Sequence, residues 1–406
     1  MKVRASHRRL RVWRTAGLAA IAALSTFGVL AEPFIPQDGN QVLEHLRATP
    51  FDATVRELRT LRARLAAEPG NLTVAAAFAR RCLERGRADA DPRYLGRAQA
   101  ALAPWWNLSA APVEALVLRA TIKQSQHDFT GSLSDLGLAL TADPANAQAW
   151  LTRATLLTVL GRHAEARQAC LPLMRLAPGL TAVTAAANIA SLNGDAERSC
   201  RLLGATLDRS ASARPADKLW ALTVLAETSA RIGSADEAGR YFATALALGQ
   251  RDAYLLGAYA DFLLDQGRAP EVAALLKDET RADGLLLRLA LAEAALHPRP
   301  SSLDTHVAML RARFDANRLR GDQVHQREEA RFTLELMRQP REALRLAQAN
   351  WQVQREPADA RVLFAAAVAA NDPLAAEPAR EFVRTNHLQD VQLARLEQSL
   401  AALAAK

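Results

Sequence analysis

Residues 113–180 read VEALVLRATIKQSQHDFTGSLSDLGLALTADPANAQAWLTRATLLTVLGRHAEARQACLPLMRLAPGL. Apolar residues recur here at spacings of three and four, the signature of helices with one buried face. The turn Asp143-Pro144 returns as Ala177-Pro178, 34 residues later, and Gly233 returns as Gly267 at the same interval. That period predicts pairs of helices, each pair one structural repeat that needs its neighbours to bury its apolar face. Working outward, Leu58, Leu61 and Leu65 share one helical face. Ala and Leu dominate, and no alternating segment with an Asn-Gly turn argues for a strand.

The internal register supports the period. In the unit 147–180, Trp150 is fourth, Ala154 eighth, Gly161 fifteenth, Ala166 twentieth and Pro178 thirty-second. The unit 113–146 places Leu116, Ala120, Phe129, Leu136, Ala139 and Pro144 at matching positions. The unit 219–252 has Leu222, Ala226, Gly233, Ala238, Phe242 and Ala245, and the unit from Ala253 has Leu256, Ala260, Gly267 and Leu276. Small Ala lets the two helices of a pair approach closely, and the large residue near position 24 fills the gap to the next pair. Gly ends the first helix in a left-handed conformation, and Pro stops the second.

With these residues in these places, the sequence resembles the tetratricopeptide-repeat (TPR) superfamily over 113–180 and 219–276, and less closely over 325–385. The stretches 91–106, 148–162 and 324–361 look like exported TPR proteins of proteobacteria, a likeness that supplies no activity. The resemblance implies an all-α, right-handed helical-repeat solenoid of about nine helical hairpins over 51–404. A last helix at 389–404 caps it, with Leu393, Leu396, Leu400 and Leu403 inward and Arg395, Glu397 and Gln398 outward. Two local departures are expected: the acidic Ala88-Asp89-Ala90-Asp91 widening a turn, and Pro172 bending a second helix.

The chain has 406 residues and a formal charge of +8, which invites a nucleic-acid reading. Lys2, Arg4, Arg8, Arg9, Arg11 and Arg14 precede the first acid, Glu32. An apolar run from Ala16 to Leu30 follows them and ends Val29-Leu30-Ala31. A basic start, a short apolar core and a small-x-small end are the parts of a signal peptide. The run is too short for an ordinary membrane span, which needs about 20 residues. Residues 1–31 are therefore expected to direct export to the periplasm, with cleavage after Ala31. The alternative is an uncleaved inner-membrane anchor facing the periplasm. Residues 32–50, with Pro33, Pro36, Gly39 and Pro50, read as a linker. Without residues 1–31, Lys and Arg fall from 51 to 45 against 43 acids, about +2. That removes the case for nucleic acid.

Catalytic and metal signatures are weak. No G-x-S-x-G or H-E-x-x-H occurs, the eight histidines are dispersed, and no CxxC pair offers a zinc site. His325 with Glu328 and Glu329 reads as a solvated helix start. Cys82, Cys170 and Cys200 fall on faces normally buried. A Cys170–Cys200 disulfide between second helices of consecutive units is an open alternative in an oxidising compartment. Trp105-Trp106 could pack a joint between units or expose one ring as an anchor, and Trp351 carries the same ambiguity. The chain is expected to be non-enzymatic and to need no cofactor or metal.

By resemblance, the first helix of each unit lines the concave wall, and the groove-facing residues include Gln148, Thr155, Trp220, Glu227, Arg231, Tyr254 and Asp261. The Lys and Asn clamp with which some TPR domains hold a partner's carboxyl terminus is missing, and only four lysines follow Ala31. A wall of amides, hydroxyls and aromatics suits an extended peptide or partner helix. The expected function is a protein-binding scaffold or adaptor in the bacterial envelope. The alternative is an accessory subunit of an envelope enzyme or transporter that holds a small ligand or cell-wall fragment.

Overall fold

The computed structural model describes Asp38, residues 53–321 and residues 326–404. The expected signal segment, almost all of the linker, and His325 lie outside the described residues. The helices form one compact unit from Ala53 onward.

Helix α1 (Ala53–Ala67) leads into nine helical hairpins among the described residues. The first pairs α2 with α3 (Leu72–Asp89, Arg93–Ala101) and is followed by the short α4 (Ala103–Trp106). Next come α5 with α6 (Val113–Ser125, Phe129–Ala142), α7 with α8 (Ala147–Val159, His163–Leu176) and α9 with α10 (Leu180–Ser191, Ala196–Asp208). The fifth and sixth are α11 with α12 (Pro215–Arg231, Ala235–Ala247) and α13 with α14 (Ala253–Asp265, Ala269–Leu276). The last three are α15 with α16 (Asp283–Ala295, Ser302–Leu319), α17 with α18 (Gln326–Glu335, Pro340–Val353) and α19 with α20 (Pro357–Ala370, Glu377–Thr385). Helix α21 (Val391–Ala404) closes the array. No strand occurs among the described residues.

Polar side chains start many of these helices. Asn71, Asp128, Asn146 and Asp252 each accept a hydrogen bond from the backbone N–H three residues on. Glu356 and Asp359 cap α19 reciprocally. The small residues expected at the helix crossings are wholly buried: Ala120, Ala154, Ala226 and Ala260 on first helices, Ala166 and Ala238 on second helices. The large residues expected to fill the joints, Leu136, Cys170, Phe242 and Leu276, are buried there too. This is an all-helical array of hairpins in the 34-residue register.

Two local expectations change, and Pro172 leaves its helix continuous. The acidic stretch near 88 lengthens α2 to 18 residues, and the helix ends on Ala90 in a left-handed conformation; the turn itself is short. Pro172 sits inside α8, which runs on through it from His163 to Leu176. Helix α11 begins at Pro215, ahead of the expected unit start at residue 219.

The array also winds onto itself. The first hairpin touches the sixth: Arg251 Nε donates to Asp89 Oδ1 at 3.1 Å, and Arg87 lies 3.5 Å from Asp252. The third meets the junction of the eighth and ninth, where Arg355 N–H donates to the Val159 carbonyl at 2.8 Å. The fourth and fifth meet the C-terminal end: the Ala196 N–H donates to Gln389 Oε1 at 3.3 Å, and Leu192 joins the core built from α17 to α21. One gyre of the solenoid thus takes about five hairpins, and the next gyre seats on it.

The seat is a row of turns. Gly161, Gly194 and Gly233 end three successive first helices with φ of +69°, +85° and +85°. A Cβ at Gly161 would lie 2.7 Å from Phe382 Cε2, one at Gly194 3.2 Å from His387 Cβ, and one at Gly233 3.3 Å from Val391 Cγ1. Glycine is therefore required twice over, by backbone conformation and by the close approach of the overlying gyre.

His163 locks the same seam. It is 4% exposed, its ring meets Phe382 edge-on at 5.4 Å, and its Nδ1 lies 3.1 Å from Asn386 Oδ1. The Asn386 amide is oriented by donating to the Phe382 carbonyl at 2.8 Å, so Nδ1 is the donor to Oδ1. Nε2 is then a buried acceptor without a hydrogen-bond partner. Burial holds the imidazole below its usual pKa, against the opposing hydrogen bond to Asn386; the Arg167 and Arg231 charges lower it further. An unfolded chain binds a proton here at higher pH than the folded one. Stability from this site is therefore complete above about pH 6.5 and is lost as pH falls below it. Chemical denaturation from pH 7.5 to 5 should show this loss in the wild type, and His163→Gln should flatten the corresponding part of the profile. Parallel profiles for the two proteins would remove His163 from the seam's energetics.

Candidate functional site

Polar residues of several first helices converge around α13. Asp261 and Asp265 lie one turn apart on it. Asp261 accepts from Arg288 Nη2 at 2.5 Å and from Arg331 Nη1 at 2.6 Å, and Asp265 accepts from Arg361 Nη1 at 2.9 Å. These arginines come from α15, α17 and α19, so the three following hairpins all reach back to α13. Arg361 also pairs with the buried Asp390, whose other oxygen caps the start of α21. Arg327, one turn before Arg331, donates to Glu356 at 3.1 Å and approaches Asp359 at 3.4 Å.

The electrostatics follow from this crowding. Burial would raise the Asp261 carboxyl, but Arg288 and Arg331 overcome it and hold the group below the usual carboxylate range. Asp265, with one arginine partner, stays raised by burial. Burial also pushes Asp359 up to about 6, against the Arg327 charge. Glu227 has no ion pair; burial pushes it up to about 7, opposed by the hydrogen bond it accepts from Tyr254 Oη at 2.8 Å. The Glu227 charge in turn lifts the Tyr254 phenol well above its ordinary value, with burial next. Tyr254 is nonetheless 58% exposed. Its ring is open to solvent while its hydroxyl is held by Glu227.

The expected groove residues divide. Tyr254 and Glu227 are brought together, on neighbouring first helices. Gln148 and Thr155 are exposed on α7, with Thr155 Oγ1 bonded to the Leu151 carbonyl of its own helix. Asp261 is committed to two guanidiniums. Arg231 is buried at 6% exposure and donates to the Ser191 hydroxyl at 2.7 Å, so it joins two hairpins and offers nothing to a groove. Trp220 is half-buried between two core clusters, one around Leu157 and Ile189 and one around Leu225. The Arg231 placement corrects the sequence reading: its guanidinium is buried against the neighbouring hairpin.

Cys82, Cys170 and Cys200 are free thiols, so the Cys170–Cys200 alternative is not formed here. Cys170 packs with Leu157, Leu173 and Ile189, whereas Cys200 packs with Leu180 and Leu203, its Sγ 3.8 Å from the Ser229 hydroxyl. The two thiols thus belong to different core clusters. Burial pushes the Cys170 thiol up to about 11, which makes it a weak nucleophile.

Trp105 and Trp106 are both half-buried and pack joints. Their carbonyls are held by Arg119, whose Nη1 donates to Trp105 O at 3.1 Å, Trp106 O at 2.7 Å and Leu108 O at 3.1 Å. Trp351 is buried in the C-terminal core. Glu329 is buried and pairs with Arg318 at 2.7 Å, a structural contact. Among the described residues no group of three or more His, Cys, Asp or Glu could hold a metal ion, and no helix is long and apolar enough to cross a membrane.

The arginines that converge on α13 were not singled out in the sequence. A signal was present: Asp261 with Asp265, and Arg327 with Arg331, are like charges at i,i+4, unfavourable within one helix. Each pair needs opposite charges from elsewhere.

Neither a protein-family model nor a curated protein matches this sequence. Similar solved structures include a TPR protein from Parabacteroides merdae, at 18% identity over 57% of this chain and 97% of that one, TM-score 0.35. Another is the TPR domain of P58(IPK), at 15% identity over 80% of this chain and 98% of that one, TM-score 0.23. In this chain hairpins open at Val113 and again at Ala147, 34 residues on, with buried alanines at the eighth places, which makes it an all-helical repeat array.

Proposed function

We propose that this chain is a non-enzymatic interaction scaffold of the bacterial envelope, which holds a partner peptide or helix against its inner wall at Tyr254 and Glu227. The observation that carries the reading is the exposed Tyr254 ring on a first helix, its hydroxyl fixed by Glu227 at 2.8 Å. Exposed aromatics with a polar tip anchor partner segments, since they bring large contact area at low entropic cost. Gln148 and Thr155, exposed on α7, add the amide and hydroxyl chemistry that an extended backbone uses. Periplasmic placement is supported by the basic, then apolar residues 1–31, and the near-neutral remainder argues against nucleic acid as the partner.

The test is a crosslinked pull-down from the native envelope, comparing wild type with Tyr254→Ala and Glu227→Gln. At least one protein partner should fall by about tenfold or more in Tyr254→Ala, the usual effect of truncating an anchor. The captured chain should begin at Glu32. An unchanged partner set would overturn the Tyr254 site, and a chain beginning at Met1 in the cytoplasmic fraction would overturn the localisation.

A further inference from the structure

The seam between gyres holds a partly open pocket of about 170 Å³, where the turn at Gly233, the end of α13 and the start of α21 meet. One ordered water needs roughly 10–15 Å³ on such a measure, so the space suits a small organic molecule. Its walls are chemically divided. Phe262, Ala230 and Val391 give an apolar side. Asp265, Gln392 and Arg395 give a polar one.

The two charged walls are incompletely satisfied. Asp265 spends Oδ2 on Arg361 at 2.9 Å, and its Oδ1 takes no hydrogen bond among the described residues. Arg395 makes no ion pair among the described residues; Nη1 reaches only Gln392 Oε1, at 3.4 Å. An anion beside Arg395 would face the Asp265 carboxylate, and a cation beside Asp265 would face the Arg395 guanidinium. A molecule with both charges meets each wall with its complement and leaves neither uncompensated.

From this arrangement we infer a binding site for a small zwitterion with an apolar side chain, a free α-amino acid in chemical class. Its ammonium lies toward Asp265 Oδ1, its carboxylate toward Arg395 and Gln392, and its side chain against Phe262 and Val391. This is independent of the partner site at Tyr254. The ligand would join α21 to the fifth and sixth hairpins and so stabilise the seated gyre by mass action.

Titration calorimetry on the full chain tests this with L-alanine, L-valine and L-leucine as probes, and isobutylamine and isovalerate as singly charged controls. At least one amino acid should bind saturably and raise the melting temperature, with both controls about tenfold weaker or more. Arg395 is exposed near the end of the array, so Arg395→Gln should fold normally; it should weaken binding about tenfold or more, the usual effect of losing a charged hydrogen-bond donor. Asp265→Asn should weaken it as well, although it also disturbs Arg361. The inference is overturned if no amino acid binds, if the controls bind equally well, or if Arg395→Gln binds like wild type.

Discussion

Gly161→Val is expected to unseat the C-terminal hairpins, whereas Gly267→Val is expected to cost far less. Both glycines end a first helix with nearly the same backbone, φ +69° and +70°. A β-branched residue in that region costs about 1–2 kcal/mol at either position. The surroundings differ. A Cβ at Gly161 would lie 2.7 Å from Phe382 Cε2 and 3.0 Å from Arg355 Cβ, while nothing lies within 4 Å of one at Gly267. Overpacking adds about 1–3 kcal/mol at Gly161 only, for a total of about 2–5 kcal/mol. Phe382 is also the ring against His163 and, at 5.4 Å, against Trp351, so its displacement disturbs both faces of the seam. Urea unfolding of the two variants measures the difference. Equal losses would mean that the gyres do not press on each other at this turn.

The second large effect concerns Arg119. Arg119→Met should destabilise the chain by about 3–5 kcal/mol, the usual result of breaking a buried ion pair from one side. Arg119 and Asp135 are 6% and 3% exposed and share two hydrogen bonds, of 2.7 and 2.5 Å. The same guanidinium satisfies three carbonyls at and after the short α4. Methionine fills the space but leaves those carbonyls and one side of Asp135 without donors. Lys123, 2.9 Å from Asp135, recovers part of the loss. Arg119→Met/Asp135→Leu should regain stability relative to the single variant, because the stranded acid is gone. Thermal unfolding of both proteins decides the matter; a double variant weaker than the single one would contradict the argument.

The sequence made the repeats readable because their packing rule is local. Ala154 and Ala166 must be small to let α7 and α8 touch, and Leu136 and Phe242 must be large to reach the next hairpin. Those demands recur every 34 residues and leave a trace in one strand of letters. The stacking of gyres leaves almost none. It joins Gly161 to Phe382 and Asp265 to Arg361, residues separated by two or more repeats, and no short-range period encodes such distances. The sequence reading treated these first-helix residues as standing free. Tyr254 and Glu227 are brought together as a pair, and Asp261 is taken up by downstream arginines. Arg231 is buried because it ties α11 to Ser191 of the preceding hairpin. The cysteines illustrate the same limit: Cys170 and Cys200 are close in repeat number, and their thiols belong to different core clusters.

The central claim is that the C-terminal gyre sits on the turns of the third to fifth hairpins. It is tested most directly by placing a benzophenone amino acid at Phe382, irradiating the folded protein and mapping the crosslinked peptides by mass spectrometry. Attachment is expected within the turn around Gly161, more than two hundred residues away in sequence. Crosslinks confined to the neighbouring C-terminal helices, from α18 onward, in a fully folded protein would contradict it.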